Sequence, residues 1–507
     1  MLAKVNAFTL VGLEGKRIEV ETDISKGIPD YSVVGLPDAS VKESKERVFS
    51  AIKNATLVFP NNRITINLAP ADLKKEGSAL DLAIAVSILK ASGQLPVHTM
   101  DDAVILGELA LDSSLREVRG ILPLLISARK CGYKKFIIPK VNEKEASFIA
   151  DVEVFAVKDL AEAVQVLEGE AVPPVVHTDY VTGGVTNPYS ADFKYVKGQI
   201  AAKRAIEVAV AGGHNLLMVG PPGAGKTMLA KCIPTIMPDM PFEEALEVTK
   251  IHSVAGQLDA AEGIARQRPF RTPHHTATTV SLTGGGTNAK PGEISLAHGG
   301  VLFLDELPEY QRSALEALRQ PLEDRVITVA RAANTVTYPA NFMLVASMNP
   351  CPCGNYGSKE QVCSCTASQI AKYRSKISGP LLDRIDLQLV VDSVKYAELT
   401  DKAEGEDSAS IKRRVDAARK VQRDRFKEDG ILSNAEMGEK QLKKYCLLTE
   451  ECETVMAHAF ESLGLSARAR GRILKVARTI ADLAGEENIS RAHLLEAIGY
   501  RSFDKTL

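Results

Sequence analysis

Four apolar residues, Leu216 to Val219, run into the loop GPPGAGKT, and a helical pattern opens at Lys226. That order suits the binding of a polyphosphate. Glycines at 220, 223 and 225 let the backbone curl so that several N–H groups converge on phosphate oxygens, while Lys226 reaches the outer phosphates and Thr227 supplies a hydroxyl to Mg2+. Gly220, Gly225, Lys226 and Thr227 satisfy the spacing G-x-x-x-x-G-K-[ST], with a strand before it and a helix after it. The whole loop, Gly220, Pro221, Pro222, Gly223, Ala224, Gly225, Lys226, Thr227 and Met228, is therefore assigned to a nucleotide, ATP with Mg2+.

Three later stretches carry groups that this chemistry needs. In GGVLFLDELPE, Val301 to Leu304 read as a buried parallel strand that delivers Asp305 to Mg2+ and Glu306 to the attacking water, as a general base or orienting group. NFMLVASMNP ends in Asn349, a neutral side chain able to hold water beside the terminal phosphate; the alternative is a strand-end Asx turn. SGPLLDRIDLQLVV puts Arg384 between a helix and a strand. A rigid, permanently charged guanidinium neutralises charge that develops in phosphoryl transfer, and the alternative is an ion pair with Asp383 or Asp386.

Two further groups invite a metal. Cys351, Cys353, Cys363 and Cys365 form two C-x-C pairs directly after Asn349. Four thiolates suit tetrahedral Zn2+ in a structural role, since no open position is left, although C-x-C is tighter than the usual C-x(2–4)-C. The alternative is a set of buried or reduced surface thiols. His274 and His275 stand adjacent in RTPHHTATT, so they point apart and lack a third ligand nearby; loop contacts or core packing are expected of them.

These groups need a scaffold, and 507 residues are too many for one core. Charged residues make up 25% and hydrophobic ones 45%, with a net charge of −2, so any nucleic-acid contact must rest on a local basic surface. The start, MLAKVNAFTLVGLEGKRIEV, reads as a strand rather than a signal peptide, and no apolar run approaches the roughly 18 residues of a membrane span. A cytoplasmic chain without membrane contact is expected; its eight cysteines are few for this length, and the crowding of four of them into 351–365 there points to metal before disulfide.

Residues 1–168 alternate strand-like runs (ITINLA, AVILGEL, KKFIIP) with helical patterns such as ALDLAIAVSILKAS. A Pro/Gly/Thr-rich linker is expected over 169–190, and strands alternate with helices again over 191–395, with the cysteine-rich insertion at 351–365. TDKAEGEDSA, 400–409, is a second polar break, and the remainder of 396–507 looks all-helical.

With GPPGAGKT, VLFLDE, ASMNP and LLDRID in this order, the chain resembles AAA+ ATPases. The stretch RPFRTPHHTATTVSLTGGGTNAKPGEISLAHGGVLFLDELPE is similar to the magnesium-chelatase-like branch, and with the joined N-terminal part the chain resembles the ComM (YifB) family over nearly its whole length. The fold this implies is α/β: a P-loop AAA+ core with a helical C-terminal lid, plus an N-terminal α+β domain of Lon-protease-like (ribosomal S5 domain 2-like) fold. The resemblance makes Arg384 an arginine finger inserted into a neighbouring subunit, Asn349 sensor 1, and Arg468 sensor 2, with Arg472 one turn on as its rival. It implies a homo-oligomeric ring, most often a hexamer. INLAPADLKKEGSALDLAIAV carries the Lon likeness, but the nucleophilic Ser position falls on Ala79 and the Lys position on Leu122, so no peptidase activity is expected.

As for substrate, the resemblance implies a DNA motor that moves branch points of recombination intermediates, as in natural transformation, alongside recombination proteins. The other reading is a chelatase- or chaperone-type motor that remodels a partner protein. EDRVITVARAANTVTYPANF reads as a hairpin with Arg331 at its tip, turned toward the pore in rings of this branch or else merely solvated. Arg268 and Arg271 are further candidates for phosphate contact. The helix SIKRRVDAARKVQRDRFKED carries eight Lys/Arg against two acids between 412 and 427, a DNA-facing or a solvated face.

Overall fold

The computed structural model describes residues 2–75, 77–170, 172–182, 191–286, 289–330, 335–358, 361–394 and 405–501. It divides into two compact units. The first comprises Met1–Thr182 together with Pro241–Arg266, and the second Gly183–Met240 together with Gln267–Leu507. The segment Pro241–Arg266 lies within the expected 191–395 core by sequence position, yet it packs with the N-terminal unit.

In the first unit, β1 (Leu2–Val11), β2 (Glu14–Ser25), β3 (Asp30–Val34), β4 (Arg63–Ala69), β5 (Ala103–Ile105), β6 (Lys135–Pro139) and β7 (Glu153–Val157) form one mixed sheet in the order β3-β4-β2-β1-β5-β6-β7. Alternation decides which face is buried: Ala3, Val5 and Ala7 of β1 turn inward while Lys4 turns to solvent. Helix α1 (Asp81–Ala91) is apolar nearly all round, and every one of its residues is buried against the sheet, as such a helix must be. Helix α2 (Ile121–Lys130) contributes Leu122 to the same core. The Phe242–Ala255 helix adds Ala245, Val248 and Ile251 as buried residues.

The second unit is built on a five-stranded sheet of β8 (Leu216–Val219), β9 (Phe270–Arg271), β10 (Val301–Leu304), β11 (Met343–Met348) and β12 (Leu387–Val390), ordered β9-β10-β11-β8-β12. All its pairings are parallel. Strands buried on both faces read as unbroken apolar runs, and Leu216–Val219 and Val301–Leu304 are each buried throughout. Both strands coincide with the runs picked out by sequence. An antiparallel hairpin, Val326–Ala330 with Thr335–Pro339, stands apart from this sheet. Arg331 at its expected tip lies outside the described residues, as do 183–190 of the expected linker and 400–404 of the 400–409 break.

Past that break the described chain is helical: Ser408–Arg425, Glu439–Tyr445, Glu450–Leu463, Ala467–Ala484 and Arg491–Gly499, with a short 3-10 turn at Asn434–Glu436. The Asp407 side chain caps the first of these by accepting from Ser410 N, and Ser466 caps the Ala467–Ala484 helix by accepting from Ala469 N. Ile411, Val415 and Ala418 bury one face of the Ser408–Arg425 helix in the core of the second unit. No helix is long and apolar enough to cross a membrane among the described residues.

Candidate nucleotide site

Strand β8 delivers the loop, and a helix beginning at Lys226 takes it up. Gly220 is compelled by close approach, because a Cβ there would lie 2.1 Å from the carbonyl oxygen of Val391, next to strand β12. Gly223 and Gly225 adopt φ of +80° and +85°, with open space where a Cβ would be. A cavity of about 360 Å3 opens over the loop, lined by residues 222–228 together with Asp305, Glu306, Ser347, Met348 and Asn349. Gly220 and Pro221 do not line it. Their carbonyls instead accept from the Lys226 ammonium at 2.6 and 2.9 Å, and the Asn349 Oδ1 accepts from it at 3.1 Å. Asn349 thus points at the site rather than closing a turn on its own backbone. Burial pulls the Lys226 pKa down, against the opposing pull of Asp305 and Glu306.

Parallel register sets the acidic end of the site. Leu304 of β10 pairs with Ala346 of β11, so the next residues, Asp305 and Ser347, emerge side by side at the carboxyl edge of the sheet. Ser347 donates a short hydrogen bond to Asp305 Oδ1, and Thr227 Oγ1 donates to Asp305 Oδ2 at 2.8 Å. A hydroxyl and a carboxylate oxygen brought together beside a lysine are the donor set that Mg2+ on a phosphate requires, so the residues fit that ion. Glu306 follows with φ +54° and ψ 50°, a left-handed conformation costly for a residue bearing a Cβ. Its N–H donates to Asp305 Oδ1 at 3.1 Å and lies 3.4 Å from Ser347 Oγ. Its carboxylate stands 3.7 Å from Nδ1 of His275. Neither Ser347 nor His275 was expected here, since sheet order and register bring them in.

The arginines lie elsewhere in the same unit. Arg384 is ion-paired with Glu323, rather than with Asp383 or Asp386, and also donates to the carbonyls of Arg319 and Pro380. Arg468 is largely exposed, 4.0 Å from Asp383, whereas Arg472 Nη1 donates to Asp386 Oδ1 at 3.0 Å. Burial alone would raise the Asp386 pKa, but the His214 hydrogen bond and the Arg472 charge override it and hold it well below the usual carboxylate range. Arg384, Arg468 and Arg472 line one cavity of about 530 Å3, which shares no lining residue with the cavity over the loop.

Several expected DNA contacts are committed internally. Arg268 donates to the carbonyls of Pro238 and Gly299, and Arg271 makes a bidentate pair with Glu293 at 2.7 and 2.8 Å. In the basic helix, Arg414 pairs with Glu207 and Glu406, Lys412 with Asp239 and Asp416, and Arg425 with Asp482. These charges are engaged within the chain, so they serve packing before they serve a ligand. In the first unit, Ser78 donates to Glu108, and Leu122 is enclosed in the core.

The sulfur atoms of Cys351, Cys353, Cys363 and Cys365 all lie within 4.8 Å of one another, with separations of 3.3, 3.7 and 3.6 Å among the first three. A tetrahedron with Zn–S of about 2.3 Å has edges near 3.8 Å, so the cluster fits zinc. It abuts the loop: a Cβ on Gly354 would lie 2.5 Å from Pro222.

The chain is similar to known proteins along its length. Residues 192–399 match the family described as magnesium chelatase, subunit ChlI; residues 20–142 match subunit ChlI of Mg-chelatase, and 405–501 its C-terminal part. The competence protein ComM of Haemophilus influenzae is 42% identical over 511 aligned residues, which cover 100% of this chain and 98% of that protein. The chain belongs to the ComM/YifB family of magnesium-chelatase-like proteins. YifB of Escherichia coli is 43% identical, again over 100% of this chain and 98% of its own length. Part of the chain, 27% of it, is also similar to Lon protease 2 of Bacillus subtilis, at 28% identity over 142 residues and 26% of that protein. The mixed α/β architecture with a parallel sheet fits the P-loop AAA+ core of this family, and the family implies ATP and Mg2+ as ligands.

Proposed function

We propose that this chain is an ATP-hydrolysing DNA motor that works as a ring, most simply a hexamer, in recombination during natural transformation. The observation that carries the reading is the partition of the charged groups. Lys226, Thr227, Asp305, Glu306 and Asn349 surround one cavity, and Arg384, Arg468 and Arg472 surround another with no residue in common. A phosphoryl-transfer site needs both sets. Copies that set the second cavity against the first of a neighbour satisfy that need.

In this reading Lys226 holds the outer phosphates, and Thr227 and Asp305 hold Mg2+, which neutralises charge on the phosphates when bound. Glu306 accepts the proton of the attacking water, and Asn349 orients that water. Arg384, released from Glu323, meets the charge that builds on the leaving group, and Arg468 joins it from the same cavity. The cysteine cluster holds a structural zinc that braces the Asn349 and Pro222 walls. Metal analysis of protein kept in reducing buffer is expected to find about one zinc per chain; thiol-intact protein without metal would contradict this.

The N-terminal unit is read as a Lon-like scaffold without peptidase activity, because Ala79 and Leu122 replace the nucleophile and its lysine. DNA is favoured as substrate by the name of the competence protein among the relatives. The magnesium-chelatase description of the matching family favours the second reading, a motor that remodels a partner protein. A labelled three-strand or four-way junction separates them: strand separation that needs ATP and is lost in Lys226→Ala supports the DNA motor, and inert junctions with active ATP hydrolysis support the remodeller.

A further inference from the structure

Strand β11, MLVASM, is buried from end to end, and Ser347 is its one polar side chain. At 1% exposure its hydroxyl would be costly if left unbonded, whereas alanine would carry no such cost. The hydroxyl is bonded, and both of its partners belong to the nucleotide site. It donates to Asp305 Oδ1, and the Glu306 N–H reaches it at 3.4 Å.

These contacts divide the two oxygens of the Asp305 carboxylate between different tasks. Oδ1 accepts from Ser347 and from the Glu306 N–H at 3.1 Å, which leaves Oδ2 to face Thr227 Oγ1 at 2.8 Å. The terminal torsion of an aspartate is broad, so a carboxylate without such an anchor rotates. Mg2+ is exacting about the placement of its oxygen ligands, and an oxygen fixed beside the Thr227 hydroxyl therefore favours the ion more than a wandering one. The same hydroxyl helps to hold Glu306 at φ +54°, since it shares the N–H of that residue with Asp305.

We propose that Ser347 is a positioning residue for the metal: it stops the Asp305 carboxylate from rotating, presents Oδ2 beside Thr227 Oγ1, and so sets the Mg2+ concentration at which nucleotide binds. Its own oxygen is engaged by Asp305 and Glu306, so it acts through them and not as a ligand. The proposal rests on the reading of Asp305 and Thr227 as the groups that hold Mg2+.

The test uses the full-length chain and a fluorescent ATP analogue whose binding is titrated against Mg2+. Ser347→Ala is expected to raise the Mg2+ concentration for half-maximal binding about tenfold, the scale of one hydrogen bond to a charged group, with affinity in EDTA unchanged. Turnover lost at low Mg2+ should return when the ion is raised, which places the defect in the metal requirement rather than in kcat. Ser347→Thr keeps the hydroxyl and should restore the requirement of the parent. Ser347→Cys, close in size but a weak donor, should shift it part-way, and it carries the test should the alanine variant fold poorly. In the Asp305→Asn background, adding Ser347→Ala should shift the requirement no further. An unchanged Mg2+ requirement in both Ser347→Ala and Ser347→Cys, an equal loss of affinity with and without Mg2+, or a full further shift in the Asp305→Asn background would each overturn the proposal. An Asp305→Asn chain with the parent's Mg2+ requirement would instead overturn the assignment of Asp305 itself.

Discussion

Arg468 and Arg472 stand one helical turn apart on the Ala467–Ala484 helix, and their surroundings assign them different work. The Arg468 side chain is 73% exposed and, among the described residues, is ion-paired only with Asp383, at the limit of ion pairing. Arg472 is the charge partner of the buried Asp386, which also faces the enclosed His214. Removing one member of a buried pair strands the other. Arg472→Ala is therefore expected to cost about 3 kcal/mol in urea unfolding. Arg468→Ala should leave stability within about 0.5 kcal/mol and lower hydrolysis instead. Equal stability of the two variants would return Arg472 to the role of sensor 2.

At the scale of elements, the Phe242–Ala255 helix is tied to the first unit through a carboxylate. Glu145 is buried, and its Oε1 accepts from Ser253 Oγ at 2.5 Å and from the Leu122 N–H at 3.0 Å; Ser253 Oγ also accepts from Gly120 N–H at 3.0 Å. Burial raises the Glu145 pKa from 4.5 to about 7, more than these hydrogen bonds lower it. A folded-state pKa above the unfolded value means that the native state binds more protons between the two. The contribution of the protonated form is complete below pH 4.5 and is lost as pH rises through 7. The opening free energy of residues 242–255, read from hydrogen exchange after the base-catalysed intrinsic rate is divided out, should accordingly fall between pH 6 and pH 8, and Glu145→Gln should remove that fall. A profile unchanged by Glu145→Gln would refute the assignment.

Elements of this kind also mark what the sequence could and could not disclose. Val301–Leu304 and Leu216–Val219 were legible because a strand buried on both faces has no polar alternation to blur its ends. The phosphate loop was legible because its chemistry is contiguous. Ser347, His275 and Glu323 were not, since each reaches its partner through strand order, register or a helix packed from a distant part of the chain. The Phe242–Ala255 helix has an ordinary apolar face, and nothing in its residues names the unit that receives it. Arg268 and Arg271 looked free because their acceptors, carbonyls and Glu293, carry no signal at short range.

For the whole molecule, two incomplete copies should be able to mend each other. A chain with Lys226→Ala keeps its arginine cavity, and one with Arg384→Ala keeps its phosphate loop. Each alone is expected to be nearly inactive. An equimolar mixture should regain ATP hydrolysis where an intact loop meets an intact arginine, and dilution to single chains should abolish it. A mixture no more active than the average of its parts would show that each copy completes its own site.

The backbone passes between the two units three times, after Thr182, after Met240 and after Arg266. A single proteolytic nick in the 169–190 stretch therefore cannot free either one, because the excursion through residues 241–266 still threads them together. Expressing residues 191–507 alone would leave Ala245, Val248 and Ile251 without the wall they are folded against. Such a truncation would expose a greasy stripe and precipitate, so the two halves of this protein are inseparable by simple scission.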